Sequence, residues 1–81
     1  MKLIIYSPER TVFDGEVELV ELPGTKGRFT VLKDHEALIS TLQQGFIRYV
    51  SNGEESRLDI KSGYVEVKQN VIQACILGLK D

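Results

Sequence analysis

Apolar and polar residues alternate along most of this chain, in short runs separated by turn-forming residues. Alternation with period two is typical of strands that bury one face, and no long window shows the helical period. The pattern therefore predicts an all-β fold, an antiparallel two-sheet β-sandwich or a barrel of about 8–10 short strands. Strands are expected at Lys2–Tyr6, Thr11–Phe13, Glu16–Leu22, Arg28–Leu32, Ala37–Leu42, Phe46–Ser51, Glu55–Ile60, Tyr64–Lys68 and Val71–Leu77.

Side-chain directions can be predicted for several of these strands. Val65 and Val67 alternate with charged residues and should point inward, as should Val17 and Leu19. The alternation slips at Leu19-Val20, which favours a bulge there. The almost uninterrupted apolar run at Val71–Leu77 indicates a central strand, followed by a tail at residues 78–81.

Three dipeptides predict how strands end. Asn52-Gly53 is the strongest hairpin signal, because both residues tolerate the positive φ of a type I′ turn. Asp14-Gly15 gives the same signal between two β-prone flanks. Pro23-Gly24 is expected to end the third strand, since proline cannot donate to a sheet ladder.

Composition limits the possible functions. The 81 residues make one domain, residues 1–81, and a net charge of -2 disfavours a nucleic-acid binder. The single cysteine, Cys75, excludes an internal disulfide and is expected to be buried in the core of a protein from a reducing compartment. No signal peptide or apolar stretch of membrane-spanning length is visible, so we expect a soluble chain without direct membrane insertion.

The residues that could carry chemistry are few. One histidine, His35, and one distant cysteine make no zinc signature, and Pro23–Gly27 lacks the spacing of a phosphate loop. A nucleophilic pair of Cys75 and His35 is conceivable but weakly supported. We therefore expect no metal, cofactor, nucleotide or catalytic residue, and we interpret the acidic run as a solvated strand face: Asp14, Glu16, Glu18 and Glu21.

The stretch Leu22–Leu42 does not alternate cleanly, and it could hold one helical turn within Leu32–Leu42. It contains Lys26, Arg28 and Phe29, which could serve solubility and the core or could dock on a partner. His35 could equally hydrogen-bond its neighbours in an exposed turn or contact a partner. We expect the all-β fold to present the stretch Leu22–Leu42 to a partner.

The chain resembles the N-terminal domain of the epsilon subunit of bacterial F-type ATP synthases. The resemblance extends over nearly the whole chain and rests on the order and spacing of Met1–Arg10, Phe13–Val17, Leu22–Gly27, His35 with Leu38-Ile39, Gly45–Arg48 and Ser62–Val67. It implies a ten-stranded β-sandwich in the central stalk. Such a domain does no chemistry itself and couples proton transport to ATP synthesis by fixing the gamma subunit to the membrane ring of c subunits.

The resemblance also implies which residues contact partners. A surface facing the c-ring is expected at Thr25, Lys26, Gly27, Arg28 and Phe29. A surface facing gamma is expected at His35, Glu36, Ala37, Leu38 and Ser40. The implied location is peripheral, on the cytoplasmic face of the bacterial inner membrane.

This sequence departs from the family pattern in three ways. Many members carry an acidic residue where this chain has Arg28, and their Pro-Gly-His-Ala-Pro pattern is Lys33-Asp34-His35-Glu36-Ala37 here. The C-terminal helical hairpin of the family is missing, so neither its inhibitory nor its ATP-binding role is expected. Two other hypotheses remain: an unrelated β-sandwich module that binds a small ligand or peptide at a sheet edge, and a small cysteine-dependent enzyme.

Overall fold

The computed structural model describes residues 1–78, which form nine strands and no helix. None of these residues belongs to a helix that could span a membrane. Residues 79–81, most of the predicted tail, lie outside the described part. The strands are β1 Lys2–Tyr6, β2 Thr11–Glu16, β3 Leu19–Gly24, β4 Gly27–Val31, β5 Leu38–Leu42, β6 Gly45–Ser51, β7 Glu54–Ile60, β8 Gly63–Lys68 and β9 Val71–Ile76.

The strands form a β-sandwich made from one strongly curled sheet. Its strand order is β2-β1-β9-β8-β5-β3-β6-β7, with β4 paired to the other side of β3. The first five strands and the remaining four meet at a single pairing, Gly24 with Leu42, where the sheet bends over. Both layers contribute to one apolar core, whose buried members are Leu3, Ile5, Val17, Val20, Leu22, Val31, Leu42, Ile47, Ile60, Val65, Val67, Ile72, Ala74 and Ile76.

One ladder departs from the predicted antiparallel arrangement. β1 pairs with β9 in parallel, with Leu3 opposite Ile72 and Ile5 opposite Ala74. The predicted β-sandwich is confirmed, but its sheet is not antiparallel throughout, because this ladder is parallel. Local turns can only specify antiparallel neighbours, whereas this pair joins the two ends of the domain. The same pairing places β9 between β1 and β8, which confirms it as a central strand.

The strongest hairpin prediction is confirmed. Asn52 and Gly53 connect β6 to β7 with φ values of 52° and 77°, the positive values that a type I′ turn requires. Gln69 and Asn70 connect β8 to β9 in the same way, with φ values of 51° and 61°. In β8, Val65 and Val67 point inward as predicted.

The predicted Asp14-Gly15 hairpin was wrong. Both residues lie within β2, opposite Ile4 and Leu3 of β1. Gly15 is needed for packing rather than for a turn, because a Cβ atom there would lie 3.1 Å from the ring of Phe13. A dipeptide signal cannot distinguish a glycine required by φ from one required by a neighbouring ring.

The predicted bulge at Leu19-Val20 was also wrong. The two residues keep regular register with Val50 and Tyr49 of β6. Val20 is fully buried and Leu19 is not, so Leu19 does not share an inward face with the buried Val17 as expected. The slip in the pattern is a strand boundary at residues 17–18, where the chain passes from one layer to the other.

Backbone hydrogen bonds fix this crossing. The amide of Val17 donates to the carbonyl of Met1 (2.9 Å) in the first layer, and the amide of Glu18 donates to Val50 (2.8 Å) in the second. Pro23 and Gly24 do not end β3 as predicted either. They complete it, and the turn follows at Thr25 and Lys26.

Candidate functional site

The two segments singled out as contact surfaces lie side by side in the structure. The hairpin tip and β5 line a groove of about 560 Å³, and Ser40 is the one predicted gamma-facing residue in its lining. The hairpin contributes residues 24–29, and β5 contributes Ile39, Ser40 and Thr41. The predicted ring-facing segment therefore adjoins β5 at Ser40, whereas His35, Glu36, Ala37 and Leu38 are not part of the groove lining.

The β3–β4 hairpin has a tight tip built on two glycines. Gly24 pairs with Gly27, and Thr25 and Lys26 form the exposed loop between them. Gly27 takes a φ of 133°, which favours glycine. A Cβ atom on Gly24 would lie 2.7 Å from the carbonyl oxygen of Gly27 and 2.9 Å from the ring of Phe29. Phe29 thus packs, half-buried, directly against the base of the hairpin.

Hydrogen bonds tie the hairpin tip to β5. The amide of Thr25 donates to the carbonyl of Thr41 (3.1 Å), and the two threonine hydroxyls lie 2.7 Å apart. The amide of Gln43 donates to the carbonyl of Pro23 (2.9 Å) just beyond. These bonds fasten the predicted ring-facing tip to the C-terminal end of β5, the strand that contains Leu38 and Ser40.

The two cations of the hairpin have different surroundings. Lys26 is exposed and forms no ion pair with the part of the chain that the structure describes. Arg28 donates through Nε to Glu21 (3.2 Å), and its guanidinium lies 3.7 Å from the ring centre of Phe46. Arg28 is thus held against the outer face of the sheet rather than extending freely from the loop.

Arg28 belongs to a network across the outer face of β4, β3, β6 and β7. Arg48 bridges Glu21 (3.0 Å) and Glu55 (2.8 Å), while Arg57 lies 3.8 Å from the ring centre of Phe46. The hydrogen bond from Arg48 lowers the pKa of the Glu21 carboxyl. Desolvation opposes this shift and Arg28 adds to it, so the pKa is below its usual value.

The loop before β5 is fixed by contacts with the β8–β9 turn. Asp34, at a φ of 65°, donates its amide to the side-chain oxygen of Asn70 (2.7 Å) and accepts a hydrogen bond from the Asn70 amide group (3.0 Å). His35 donates its backbone amide to Leu32 (3.1 Å). Its Nδ1 lies 2.8 Å from the carbonyl of Glu36, so a hydrogen bond there requires the proton on Nδ1.

Alternation along β5 separates the predicted gamma-facing residues. Leu38 and Ser40 lie opposite Val67 and Val65, so their side chains are on the inward-facing side. Ile39 points outward and is 77% exposed. The residues predicted to face gamma did not include Ile39, whose apolar side chain is the exposed one on β5. The period-two pattern of Ala37–Leu42 could have found it, because that pattern leaves an isoleucine on the polar face.

Cys75 is buried as predicted, yet it lies outside the core. It pairs with Tyr64 and Tyr6 on the outer face of the first layer, since its neighbours Ala74 and Ile76 point inward. Contact with the Cys75 thiol, together with the nearby Tyr6, raises the pKa of Tyr64 to about 12.

The structure does not bring Cys75 and His35 together. His35 adjoins Asp34, which is bonded to Asn70 at one end of β9. Cys75 lies five positions further along, about 16 Å away at the usual rise per strand residue. Nothing in this arrangement supports a nucleophilic pair.

The acidic run is divided among separate partners. Asp14 pairs with Lys2 (3.5 Å), and Glu16 lies 3.9 Å from the terminal amine. Glu18 accepts hydrogen bonds from the amides of Asn52 (3.2 Å) and Gly53 (3.0 Å), while Glu21 binds the arginines. Across residues 1–78, no three His, Cys, Asp or Glu side chains are grouped so that they could hold a metal ion.

Comparison with known families identifies the domain. Residues 1–76 match the family described as ATP synthase, Delta/Epsilon chain, beta-sandwich domain. The chain belongs to this family. The resemblance noted from the sequence motifs is thereby confirmed, and the hypothesis of an unrelated binding module is set aside.

Curated relatives are named ATP synthase epsilon chain. The protein from Desulfitobacterium hafniense is 40% identical over 70 residues, which cover 86% of this chain and 53% of the relative. The protein from Sulfurovum sp. is 43% identical over 79 residues, 96% of this chain and 62% of the relative. The chain thus spans little more than half the length of these curated relatives.

Solved structures show the same fold. A chain of the Euglena gracilis mitochondrial ATP synthase, in an assembly with the c-ring, superposes with a TM-score of 0.85 at 19% identity, covering 91% of this chain and 48% of that one. A chain of the Tetrahymena thermophila central stalk and c-ring gives 0.82 at 16% identity, covering 100% and 66%. These likenesses confirm the β-sandwich of the family.

Proposed function

We propose that this domain is a non-catalytic part of the central stalk of an F-type ATP synthase. It links the gamma subunit to the c-ring and so couples proton transport to ATP synthesis. Family membership and the central-stalk and c-ring assemblies of the structural neighbours support this role. The domain would bind no cofactor, metal or nucleotide and would work at the cytoplasmic face of the bacterial inner membrane.

The ring-facing surface is the tip of the β3–β4 hairpin, Thr25–Phe29. Its loop residues Thr25 and Lys26 are exposed, while Phe29 anchors the base of the hairpin from a half-buried position. A short, well-anchored tip can press against the loops of a ring without ordering a flexible segment first. That saves conformational entropy on docking.

The gamma-facing surface comprises His35, Glu36, Ala37, Leu38 and Ser40, of which Leu38 and Ser40 are half-buried on the inner side of β5. The exposed side chain of Ile39 adds to it. The exposed isoleucine supplies an apolar contact whose full burial would contribute about 1.5–3 kcal/mol. The pairing of Asp34 with Asn70 keeps this loop in place against the β8–β9 turn.

The observation that carries the proposal is the direct connection between the two surfaces. Thr25 and Thr41 join the hairpin tip to β5 by a backbone hydrogen bond and a hydroxyl pair. A domain that transmits rotation between two partners needs such stiffness between its contact sites. A gamma-binding loop on a flexible tether would rotate without moving the ring.

The proposal is tested by co-elution of the chain with the gamma subunit of the same organism. We expect a stable complex, and we expect Ile39→Asp to weaken it about tenfold or more without lowering the melting temperature. The matched control is Thr11→Asp, an exposed change on the far edge strand β2. Failure of the unaltered chain to bind gamma, or equal binding by both variants, would contradict the proposal.

A further inference from the structure

We propose that the groove between the β3–β4 hairpin and β5 receives a carboxylate side chain, Asp or Glu, from a polar loop of the ring partner, with Lys26 as its main counter-ion. This inference rests on the proposed function and adds the chemistry of the contact. The occupant is a protein loop whose exposed charge is negative.

The shape of the groove suits a short protein loop. Its volume of about 560 Å³ is that of a ligand pocket and far exceeds a single ion. The half-buried ring of Phe29 supplies apolar surface for the aliphatic part of an acidic side chain. Gly27 is exposed, and no other atom lies within 4 Å of where its Cβ would be, so a partner backbone can approach closely there.

The charged side chains that line the groove are all positive. Its lining includes two cations, Lys26 and Arg28, and no carboxylate. Lys26 has no ionic partner within residues 1–78, so its ammonium group is available for a bound carboxylate. An acidic loop would complement this surface, whereas a basic one would be repelled.

Arg28 strengthens the assignment although it is already engaged. Only its Nε donates to Glu21, at 3.2 Å. Its stacking on Phe46 fixes the guanidinium plane, and its two terminal nitrogens have no hydrogen-bond partner in the described chain. A pre-oriented guanidinium loses little entropy when it binds a carboxylate oxygen.

The floor of the groove offers a further donor. The hydroxyls of Thr25 and Thr41 lie 2.7 Å apart, and a single hydrogen bond between them uses only one of their two protons. The other proton can be donated to a carboxylate. Lys26 and the hydroxyl pair thus supply donors at the hairpin tip, and Arg28 supplies another on the adjoining outer face.

The test is zero-length cross-linking with a water-soluble carbodiimide, which joins an amine to a carboxylate only when they are in contact. The sample is the chain assembled with gamma and the detergent-solubilised c-ring, followed by mass spectrometry of the linked peptides. We expect Lys26 to be joined to an Asp or Glu of a ring loop, and we expect ring binding to weaken with added salt.

Three variants sharpen the test. Lys26→Arg should keep ring binding but lose the cross-link, because a guanidinium does not couple. Lys26→Glu should lose the cross-link and weaken ring binding about tenfold or more. Arg10→Glu makes the same change in net charge in the β1–β2 turn, where the arginine is held through its backbone, and should behave as unaltered protein.

The outcomes separate the two proposals. The acidic-loop inference would be overturned if Lys26→Glu bound the ring normally and the unaltered protein gave no cross-link to Lys26. The proposed stalk role would still stand in that case. The chain could instead sediment with phosphatidylglycerol vesicles in a way that Lys26→Glu abolishes, while ring binding stays unchanged. That result would assign Lys26 to lipid and would also overturn the acidic-loop inference. No ring binding by the unaltered assembly would overturn both.

Discussion

Individual residues show how far side-chain environment can be inferred from sequence. The burial of Cys75 was predictable from its apolar neighbours, but its position on the outer face was not. The continuous apolar run of β9 hides the period of two, so nothing local distinguishes the inward Ala74 from the outward Cys75. Two tyrosines from β1 and β8, distant in sequence, cover the thiol.

The covered thiol should react slowly. In the native protein we expect labelling of Cys75 by a thiol reagent to be at least about a hundredfold slower than in denaturant, because access requires local opening. Tyr64→Ala should speed native labelling by removing part of the cover, while Tyr49→Ala in the other layer should not. Fast labelling of the unaltered protein would revive the hypothesis of a reactive cysteine.

The inward position of Val65 gives a sharp stability prediction. Val65→Asp should unfold the domain, since an unpaired buried charge costs about 3–5 kcal/mol or more. That is comparable to a total stability of about 4–12 kcal/mol for a domain of this size. Circular dichroism during urea titration measures the free energy of unfolding. Gln73→Asp, at an exposed position of β9, is the control. A cooperatively folded Val65→Asp protein would show that the face of β8 is wrongly assigned.

At the scale of elements, strand positions were largely predictable and the changes of direction only partly so. The Asn52-Gly53 turn formed because both residues adopt positive φ. Asp14-Gly15 carries the same signal, but the ring of Phe13 packs over the glycine and β2 continues. The apparent bulge at Leu19-Val20 was a crossing between layers. The Pro23-Gly24 signal preceded the real turn by two residues.

The outer network of β3, β4, β6 and β7 should be sensitive to acid. The folded-state pKa of Glu21 is lowered, so its contribution is present above the usual value of 4.5 and is lost as the pH falls through the lowered pKa. We therefore expect Glu21→Gln to melt below the unaltered protein at neutral pH and to converge with it toward pH values under 4.5.

The test measures the melting temperatures of Glu21→Gln and of the unaltered protein by differential scanning calorimetry, from neutral pH to below 4.5. Because the two proteins differ only at position 21, the difference between their melting temperatures isolates the contribution of Glu21. Glu36→Gln, which removes one carboxylate in the exposed loop before β5, is the control for the change in net charge. If the melting temperatures of Glu21→Gln and the unaltered protein differed by the same amount at every pH, the Glu21 carboxylate would not be the source of the acid sensitivity.

At the scale of the whole molecule, the sequence predicted a small β-sandwich and the family, but not the joining of its two surfaces. The Thr25–Phe29 and His35–Ser40 segments are separated by residues 30–34, which are the end of β4 and a loop. Their contact depends on one pairing, Gly24 with Leu42, and on two threonines. Such single long-range contacts leave no periodic signal. The parallel pairing of β1 with β9 was missed for the same reason.

The central claim is that this domain joins gamma to the c-ring, and the most direct test measures that joining. Immobilised gamma subunit is titrated with detergent-solubilised c-ring, with and without this chain, and ring retention is recorded by light interferometry. We predict that adding the chain increases the affinity of gamma for the ring at least tenfold. Equal ring retention with and without the chain would contradict the account.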